Sequence, residues 1–217
     1  MILEVRAVPP FDKNGFVVAC EKTREAVIID PGDEVDELVG VVRDFDVDVR
    51  AVLLTHAHVD HVTGVARVKD EYGAPVYLHG DDLFLYERAV EQGAMFGFTV
   101  RRPPPVDVFY DGTPIAFGDY VVHVHHTPGH CPGGVCLQIG PRGEHGRHLF
   151  VGDTLFAGGI GRTDLPGGSY NVLMRSITGV LFPLGDEAIV HPGHGPDTTI
   201  GTEKTTNPFV LEYLRNL

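Results

Sequence analysis

Four clusters of histidine and aspartate, far apart in the sequence, constrain the fold of this chain more than any other feature. In order along the chain they are His56-Ala57-His58-Val59-Asp60-His61, Gly129-His130, Gly152-Asp153 and Gly193-His194. Imidazole nitrogens and carboxylate oxygens are ligands that zinc and similar divalent ions accept. Five histidines and two carboxylates are too many for one tetrahedral ion but suit two ions that share a carboxylate. The pattern therefore predicts a fold that gathers these segments around two metals, which can hold a nucleophilic hydroxide at neutral pH.

The first cluster follows a short apolar run over residues 50–55, which is typical of a buried strand. If the backbone stays extended beyond that strand, His56, His58 and Asp60 alternate along it and point to the same side. We therefore expect His56 and His58 to bind one ion. Asp60 and His61, at the point where the chain turns, are expected to reach the second ion.

The other three ligand candidates lie in glycine-containing turns. His130 lies in a turn in which proline and glycine restrict the backbone and so fix the direction of its side chain. Asp153 ends an apolar run, where a carboxylate must be paired or bound to a metal, so it is the expected bridge between the two ions. His194, between two glycines, is a better ligand candidate than the nearby His191.

Three further residues have roles that the sequence leaves open or secondary. Asp30, at the end of a strand, either orients the His56 loop by hydrogen bonding or is an ordinary turn residue. Cys131 is interpreted as a small apolar residue rather than a ligand, because the ligand set is already complete. Arg162, in a glycine-rich loop, is either a substrate-binding residue or the partner of Asp164 in a structural ion pair.

The order of the predicted elements is that of an α/β fold. Strands and helices alternate in the first half, whereas the second half contains strands joined by short turns. Strands are predicted over 16–20, 26–29, 50–55, 75–79, 115–117, 120–125, 135–139, 148–151 and 188–191, and helices over 33–45, 65–72, 81–94, 170–180 and 207–217. Asp33 is the expected N-cap of the first helix. Two sheets packed face to face with helices outside would bring the ligand-bearing strand ends to one edge, and we predict one domain over residues 1–217.

The composition is that of a globular protein and limits its partners. The net charge of −13 argues against a nucleic-acid partner, because affinity for the phosphate backbone comes from lysine and arginine. No apolar run approaches the roughly 20 residues that span a bilayer, and the N-terminus lacks the zones of a signal peptide. Three cysteines do not make a disulfide framework. We therefore expect a cytoplasmic protein with no membrane or nucleic-acid partner, and the sequence leaves its oligomeric state open.

These motifs resemble those of the metallo-β-lactamase superfamily and, within it, the short glyoxalase II-like hydrolases. The similarity runs through residues 30–32, 55–61, 127–134, 152–155, 161–164 and 191–195. It implies an αββα sandwich of two mixed β-sheets with helices on the outer faces, formed by a single domain. The implied ligands are His56, His58 and His130 at the first metal, Asp60, His61 and His194 at the second, and Asp153 bridging them. Zinc is the expected ion, with iron or manganese as alternatives.

The resemblance implies a metal-dependent thioesterase that acts on 2-hydroxyacyl thioesters such as S-lactoylglutathione. A metal-bridging hydroxide would attack the thioester carbonyl, with Asp60 and Asp153 as the catalytic carboxylates. Arg162 would contact the thiol-bearing half of this small-molecule substrate.

Other members of the superfamily give the alternative functions. A persulfide dioxygenase would use a single iron held by two histidines and an aspartate, and a lactonase would share the whole ligand set. His191-Pro192-Gly193-His194-Gly195 favours a second metal and therefore a hydrolase. A β-lactamase is not expected, because Asp153 stands where those enzymes usually lack a bridging carboxylate. A metal-binding protein without catalysis is the non-enzyme alternative.

Overall fold

Two six-stranded β-sheets form the centre of the computed structural model, which describes residues 1–216. The first sheet contains, in spatial order, β1 (Ile2–Arg6), β2 (Gly15–Ala19), β3 (Glu25–Ile29), β4 (Asp48–Leu53), β5 (Val76–Leu78) and β6 (Val108–Phe109). The second contains β7 (Ile115–Phe117), β8 (Tyr120–His126), β9 (Val135–Pro141), β10 (His148–Gly152), β13 (Ile189–Pro192) and β14 (Thr198–Thr199). A separate hairpin pairs β11 (Leu155–Phe156) with β12 (Gly159–Ile160). Both sheets are mixed, since β3 to β6 are parallel in the first and β10 pairs in parallel with β13 in the second.

Helices cover the outer face of each sheet. The α-helices of residues 1–216 are α1 (Val35–Asp44), α2 (Val59–Val62), α3 (Val65–Tyr72), α4 (Leu83–Tyr86), α5 (Ala89–Met95), α6 (Tyr170–Ser176), α7 (Ile200–Thr206) and α8 (Pro208–Arg215). α6 continues into a π-helical turn over Ile177–Leu181. Within this described part of the chain, no helix has the length and apolar character needed to cross a bilayer.

Three hydrophobic cores separate four layers. The core between the sheets contains residues of both, among them Phe16, Val18, Ile29, Phe117, Val122 and Phe150. Strand neighbours of these residues, such as Val17 and Ile28, face the opposite way. They pack against α1 and α3, which contribute Leu38, Val42, Val65 and Val68 to this second core. The third core joins the second sheet to α6, α7 and α8 through Leu149, Val151, Leu173, Met174, Ile200 and Val210. The structure therefore confirms the αββα sandwich; the extent of the domain stays a prediction.

Several element boundaries differ from the sequence prediction. Five strands were not predicted: β1, whose residues are half-buried or exposed, and β6, β11, β12 and β14, which are only two residues long. The predicted helix over 81–94 is divided into α4 and α5. The expected N-cap at Asp33 is wrong: α1 begins at Val35 after Glu34, and Asp33 instead accepts a hydrogen bond of 2.8 Å from the Thr63 hydroxyl.

Candidate metal centre

The four ligand segments meet at one edge of the sandwich, where strands of both sheets end. His56 and His58 follow β4 of the first sheet. His130 lies between β8 and β9, Asp153 directly follows β10, and His194 follows β13, all in the second sheet. Packing of the two sheets therefore brings together side chains from distant parts of the chain.

The backbone of the first segment turns earlier than expected. His58 still has an extended conformation, with φ −70° and ψ 152°, but α2 begins at Val59. Asp60 and His61 therefore lie in a helical turn, and the expectation that Asp60 continues the alternation of His56 and His58 is wrong. The turn is closed by a hydrogen bond of 3.0 Å from the His61 N–H to the His58 carbonyl. It places the Asp60 carboxylate 3.2 Å from Nε2 of His194, while the His61 ring remains beside that of His56, with ring centroids 4.0 Å apart.

His56, His58 and His130 form a first group of donors. One ring nitrogen of each lies within 4.8 Å of the others, and all three side chains are buried. Nδ1 of His58 is 2.8 Å from Nε2 of His130. Burial, together with the neighbouring histidines, lowers the pKa of His56 well below its usual value and that of His58 to about 4. Neutral imidazoles that face one point are a suitable donor set for a divalent cation.

Asp60, His61 and His194 form a second group. Their ligand atoms also lie within 4.8 Å of one another. Oδ2 of Asp60 is 3.2 Å from Nε2 of His194 and 3.7 Å from Nε2 of His61. Burial opposes a charge on His61, but the three surrounding carboxylates, that of Asp60 first, outweigh it and raise the pKa of His61 to about 10. In the metal-free protein a proton on His61 thus balances the carboxylates, and a bound cation would take its place.

Asp153 lies between the two groups. Its Oδ1 is 3.4 Å from Nε2 of His61, and its Oδ2 is 3.7 Å from Nε2 of both His130 and His194. Although burial opposes it, the His61 charge lowers the pKa of Asp153, so this carboxyl is ionised. Gly193 is needed beside it, because a Cβ at that position would come within 2.3 Å of Oδ1. One carboxylate therefore faces both groups, as a bridging ligand must.

Unpaired buried atoms show that these residues fit a metal. Nε2 of His56, Nε2 of His61 and Oδ1 of Asp153 are buried and have no hydrogen-bond partner among the described residues. Such groups are costly to bury without a partner. All three belong to the predicted ligand set, and a cation in each donor group would satisfy them. The structure thus contains a metal-binding cluster of histidine and aspartate, while the assignment of each ligand stays a prediction.

Hydrogen bonds on the far side of the rings hold the histidines in place. Asp30 Oδ2 accepts from the Thr55 hydroxyl at 2.5 Å and lies 3.0 Å from Nδ1 of His61. Thr55 Oγ1 in turn lies 3.1 Å from Nδ1 of His56. Nδ1 of His130 lies 2.8 Å from the carbonyl oxygen of Arg162. Partners of this kind fix the tautomer and ring orientation of metal-binding histidines, and the position of Asp30 supports the orienting role over that of an ordinary turn residue.

Asp82 is a positioning residue that the sequence analysis missed. It is fully buried, and its carboxylate accepts hydrogen bonds from the N–H of Ala57 at 3.1 Å and of Gly133 at 2.6 Å. These bonds tie the segment that carries His56 and His58 to the turn that carries His130. In the sequence, Asp82 looks like an ordinary acidic residue at the start of a helix, and no local pattern reveals its long-range contacts.

A buried ion pair under the second group was also missed. Nζ of Lys13 lies 2.7 Å from Oε1 of Glu34, and both side chains are buried. Lys13 also donates to the carbonyl of Asp30, and Glu34 accepts from the N–H of Gly32 at 2.9 Å. The pair therefore fixes the Asp30 turn that supports His61. A lysine in a polar turn gives no signal of burial, because its partner is 21 positions away.

The remaining candidates are placed as follows. The Arg162 side chain is exposed and forms two hydrogen bonds to Asp164, at 2.8 and 2.7 Å, so a substrate contact by Arg162 stays a prediction. His191 contacts His148 and Asp197, each at 3.0 Å, rather than the metal cluster. Cys131 is buried in the core beside the first sheet and belongs to none of the donor groups of the described residues.

Comparison with protein families and curated proteins gives consistent matches. The family model described as the metallo-beta-lactamase superfamily matches residues 8–194, a range that contains all seven predicted ligands. The hydroxyacylglutathione hydrolase GloC of Haemophilus influenzae is 36% identical over 218 residues, covering 97% of this chain and 98% of GloC. A protein of Aquifex aeolicus is 41% identical over 215 residues, with 99% of each chain covered.

Solved structures with the same fold carry several different names. The BLEG-1 B3 metallo-beta-lactamase has a TM-score of 0.87 and 36% identity, covering 96% of this chain and 99% of its own. The protein TTHA1623 in a di-iron-bound form has a TM-score of 0.83 and 40% identity, covering 95% and 99%. ETHE1 from Myxococcus xanthus has a TM-score of 0.80 and 28% identity, covering 100% and 91%. The fold is thus shared across these names, and the function must be argued from the donor groups.

Proposed function

This chain belongs to the metallo-beta-lactamase superfamily, and on that premise we propose that it hydrolyses thioesters, with 2-hydroxyacyl thioesters such as S-lactoylglutathione as its substrates. The observation that carries the proposal is the position of Asp153 between two donor groups, where its oxygens face His61, His130 and His194. The similarity to the hydroxyacylglutathione hydrolase GloC over nearly the whole of both chains supports the substrate class.

Two divalent ions are part of the proposal. His56, His58 and His130 would hold one ion, Asp60, His61 and His194 the other, and Asp153 both. When bound, two such ions supply a hydroxide nucleophile at neutral pH and stabilise negative charge on a carbonyl oxygen. Zinc suits this mixture of nitrogen and oxygen donors, and iron is equally compatible, as the di-iron-bound TTHA1623 at 40% identity illustrates.

The two aspartates have distinct parts in the proposed reaction. Asp153 fixes the distance between the two donor groups, because a single carboxylate contacts both. Burial opposes ionisation of Asp60, but His61 and His194 outweigh it and lower the pKa of Asp60, so its carboxylate is charged at neutral pH. A charged carboxylate at this position would hold the second ion and can orient an attacking water by accepting a hydrogen bond from it; its lowered pKa makes it a weak general base. The leaving thiolate, with a pKa of about 8.5, needs little help from a general acid.

Compartment and partners are proposed from charge and cysteine content. A net charge of −13 disfavours nucleic acid. Cys20, Cys131 and Cys136 are free and buried in the structure, which suits a reducing compartment. We keep the cytoplasm as the proposed location and a small thioester as the proposed ligand.

The test is a set of initial rates measured with one fully metallated preparation. S-lactoylglutathione, glutathione persulfide, a homoserine lactone and a β-lactam are assayed side by side, and the metal content of the same sample is determined. We expect hydrolysis of the thioester as the fastest reaction, with two ions per chain. Oxygen-dependent consumption of the persulfide by a protein with one iron, or faster cleavage of the lactone or β-lactam, would overturn the proposal.

A further inference from the structure

A short hairpin of β11 and β12 lies beside the metal centre and follows Asp153 in the chain. The base of this hairpin is fixed by its own contacts. Leu155 is buried in the third core, and the Arg162 carbonyl oxygen lies 2.8 Å from Nδ1 of His130. The tip of the hairpin, residues 156–159, extends beyond these contacts and needs support from elsewhere.

The tip carries an aromatic side chain next to the most exposed of the proposed ligands. The ring centroid of Phe156 lies 6.3 Å from that of His194, and the two ring planes are inclined by 80°. The His194 side chain is 32% exposed, and Phe156 is half-buried. Ligand sites are lined mainly by apolar and aromatic side chains around a few polar groups. Phe156 therefore offers an apolar surface to a molecule that approaches the second donor group from solvent.

The direction of the Phe156 ring depends on the backbone of the tip. Phe156 pairs with Gly159 across the hairpin, and the ring lies over this residue, since a Cβ at Gly159 would be 3.7 Å from Cδ2 of Phe156. Each strand has only two residues, and a two-stranded hairpin is marginally stable by itself. The ring is therefore held in place only if the tip is.

Two buried polar side chains at the start and end of the C-terminal helices hold the tip. Glu203 in α7 is 1% exposed, and Asn207, between α7 and α8, is 0% exposed. Oε2 of Glu203 accepts hydrogen bonds from the Gly158 N–H at 2.9 Å and from Nδ2 of Asn207 at 2.8 Å. Nδ2 of Asn207 also donates to the Gly159 carbonyl at 3.0 Å, and the Thr198 hydroxyl donates to Oε1 of Glu203 at 2.6 Å. Burial of such groups is costly unless their hydrogen bonds are made, so this network fixes the tip against α7 and α8.

We propose that Phe156 contacts the substrate at the second donor group, and that Glu203 and Asn207 are positioning residues that hold the hairpin tip for this contact. The identity of the substrate rests on the proposed function. Because the base of the hairpin has separate contacts with the third core and with His130, loss of the network releases the tip and leaves the proposed metal ligands in place. Substrate binding should weaken, while the metal content should not change.

The experiment compares KM, kcat and metal content for S-lactoylglutathione hydrolysis across a set of variants. Phe156→Ala is expected to raise KM at least about fivefold with little change in kcat, the pattern of lost uniform binding. Glu203→Ala should raise KM at least about threefold. The double variant should have the KM of Phe156→Ala alone, because effects that act through one contact do not add.

A conservative variant and a matched control separate positioning from general stability. Glu203→Gln should keep the wild-type KM, because its amide oxygen can accept in place of Oε2 and its NH2 group can donate to the Thr198 hydroxyl. Lys204→Ala removes the ion pair with Asp186 from the same helix and touches no part of the hairpin, so its KM should also be that of the wild type.

Hydrogen exchange gives a readout that needs no substrate. The amides of residues 156–159 should exchange at least about tenfold faster in Glu203→Ala than in the wild type, and at the wild-type rate in Glu203→Gln and Lys204→Ala. If Glu203→Ala does not fold, Asn207→Asp takes its place. This variant keeps the side-chain oxygen that caps α8 but replaces the donor to Gly159 and Glu203.

Three results would overturn the inference. An unchanged KM in Phe156→Ala would show that the ring does not contact the substrate. Loss of metal in Phe156→Ala would show that the ring only supports His194. Additive effects on KM in the double variant, or unchanged exchange at the tip in Glu203→Ala, would show that Glu203 does not act through the hairpin. A wild type that converts another of the four assayed substrates and no thioester would refute the proposed function instead, and the same comparison of KM with that substrate would still decide the role of Phe156.

Discussion

The two donor groups that meet at Asp153 differ in depth and in charge. In the first group, His56, His58 and His130 are all imidazoles, and they are 2%, 9% and 5% exposed. The second group contains a carboxylate; its His61 is fully buried, but its His194 side chain is 32% exposed. The first group therefore resembles a closed structural site, whereas the second is accessible to solvent and to a substrate.

The two groups also differ in the pKa of their histidines. In the first group, burial and neighbouring histidines lower the pKa of His58 to about 4, so its lone pair is free at neutral pH. In the second, carboxylates raise the pKa of His61 to about 10 against the effect of burial, so a proton must leave before an ion binds. We infer that the deep group binds its ion first and more tightly, and that the exposed group completes the centre.

Replacement of Asp153 should have the largest effect on metal content and activity, because it removes the carboxylate that faces both groups. Asp153→Ala is expected to lose both ions and to lower the rate of thioester hydrolysis by more than about 100-fold. Loss of a residue that only hydrogen-bonds to a ligand costs up to about 100-fold, and loss of a direct ligand should cost more. Asp153→Glu should retain part of the metal in a distorted centre. Metal analysis and initial rates on the same samples are the measurement. Asp119→Ala, an exposed aspartate paired with Lys22, is the control; an Asp153→Ala protein with both ions and normal turnover would show that Asp153 is no bridge.

Replacing one histidine in each group should separate the two ions. We expect His194→Ala to keep the deep ion and lose the exposed one, because all four proposed ligands of the deep ion, the three histidines of the first group and Asp153, remain intact. His58→Ala should weaken the deep ion instead. A titration with a chelator, followed by metal analysis, measures the affinity of each remaining ion. If both variants release two ions in parallel, the two groups do not act as separate binding sites.

Acidification should affect the second group more than the first. Since the pKa of His61 is about 10 in the metal-free protein, protons compete with the ion throughout the neutral range. Between pH 8 and pH 6 the apparent affinity of this group should fall by at least about 100-fold, since the His61 proton alone contributes a factor of ten per pH unit. His58, with a pKa of about 4, does not contribute such a loss in this range. Metal-binding isotherms at the two pH values measure the affinity of each group. An equal loss of affinity at both groups would show that they do not differ in protonation.

Replacement of Arg162 should have the smallest effect, since it lies beyond both groups. Arg162→Ala is expected to raise KM for S-lactoylglutathione by no more than about fivefold, because an exposed ion pair contributes only about 0–1 kcal/mol. The kcat should not change, which is the pattern of lost uniform binding. Steady-state kinetics test this, with the exposed Arg50→Ala at the start of β4 as the control. A KM that does not respond to Arg162→Ala would show that Arg162 does not contact the substrate and serves only in its ion pair with Asp164.

Local patterns in the sequence predicted the fold class and predicted that the donor residues lie at one edge of the sheets. The histidine cluster at 56–61 carries its own spacing, and apolar runs before Asp153 and His194 identify the strands that support them. The pattern could not show that α2 begins at Val59, because the helix depends on contacts with the Asp30 turn, such as the bond from the Gly64 N–H to the Pro31 carbonyl.

Residues that act through distant partners were beyond the reach of sequence patterns. Asp82 lies 51 positions from Gly133, and Lys13 lies 21 positions from Glu34. Each looks like an ordinary surface residue in its local context, and only packing of the two sheets reveals its burial. His79 and His126 are similar, since their separation in the sequence hides rings that stack at 4.1 Å.

The most direct test of the two-group centre is a crystal structure of the metal-loaded protein, with anomalous scattering data collected at the absorption edge of the bound metal. We expect two anomalous peaks at the catalytic edge. One should lie among His56, His58 and His130, and the other, with the lower occupancy, among Asp60, His61 and His194. Both should lie within coordination distance of Asp153. A single peak at this edge, or a peak pair that Asp153 does not contact, would contradict the account.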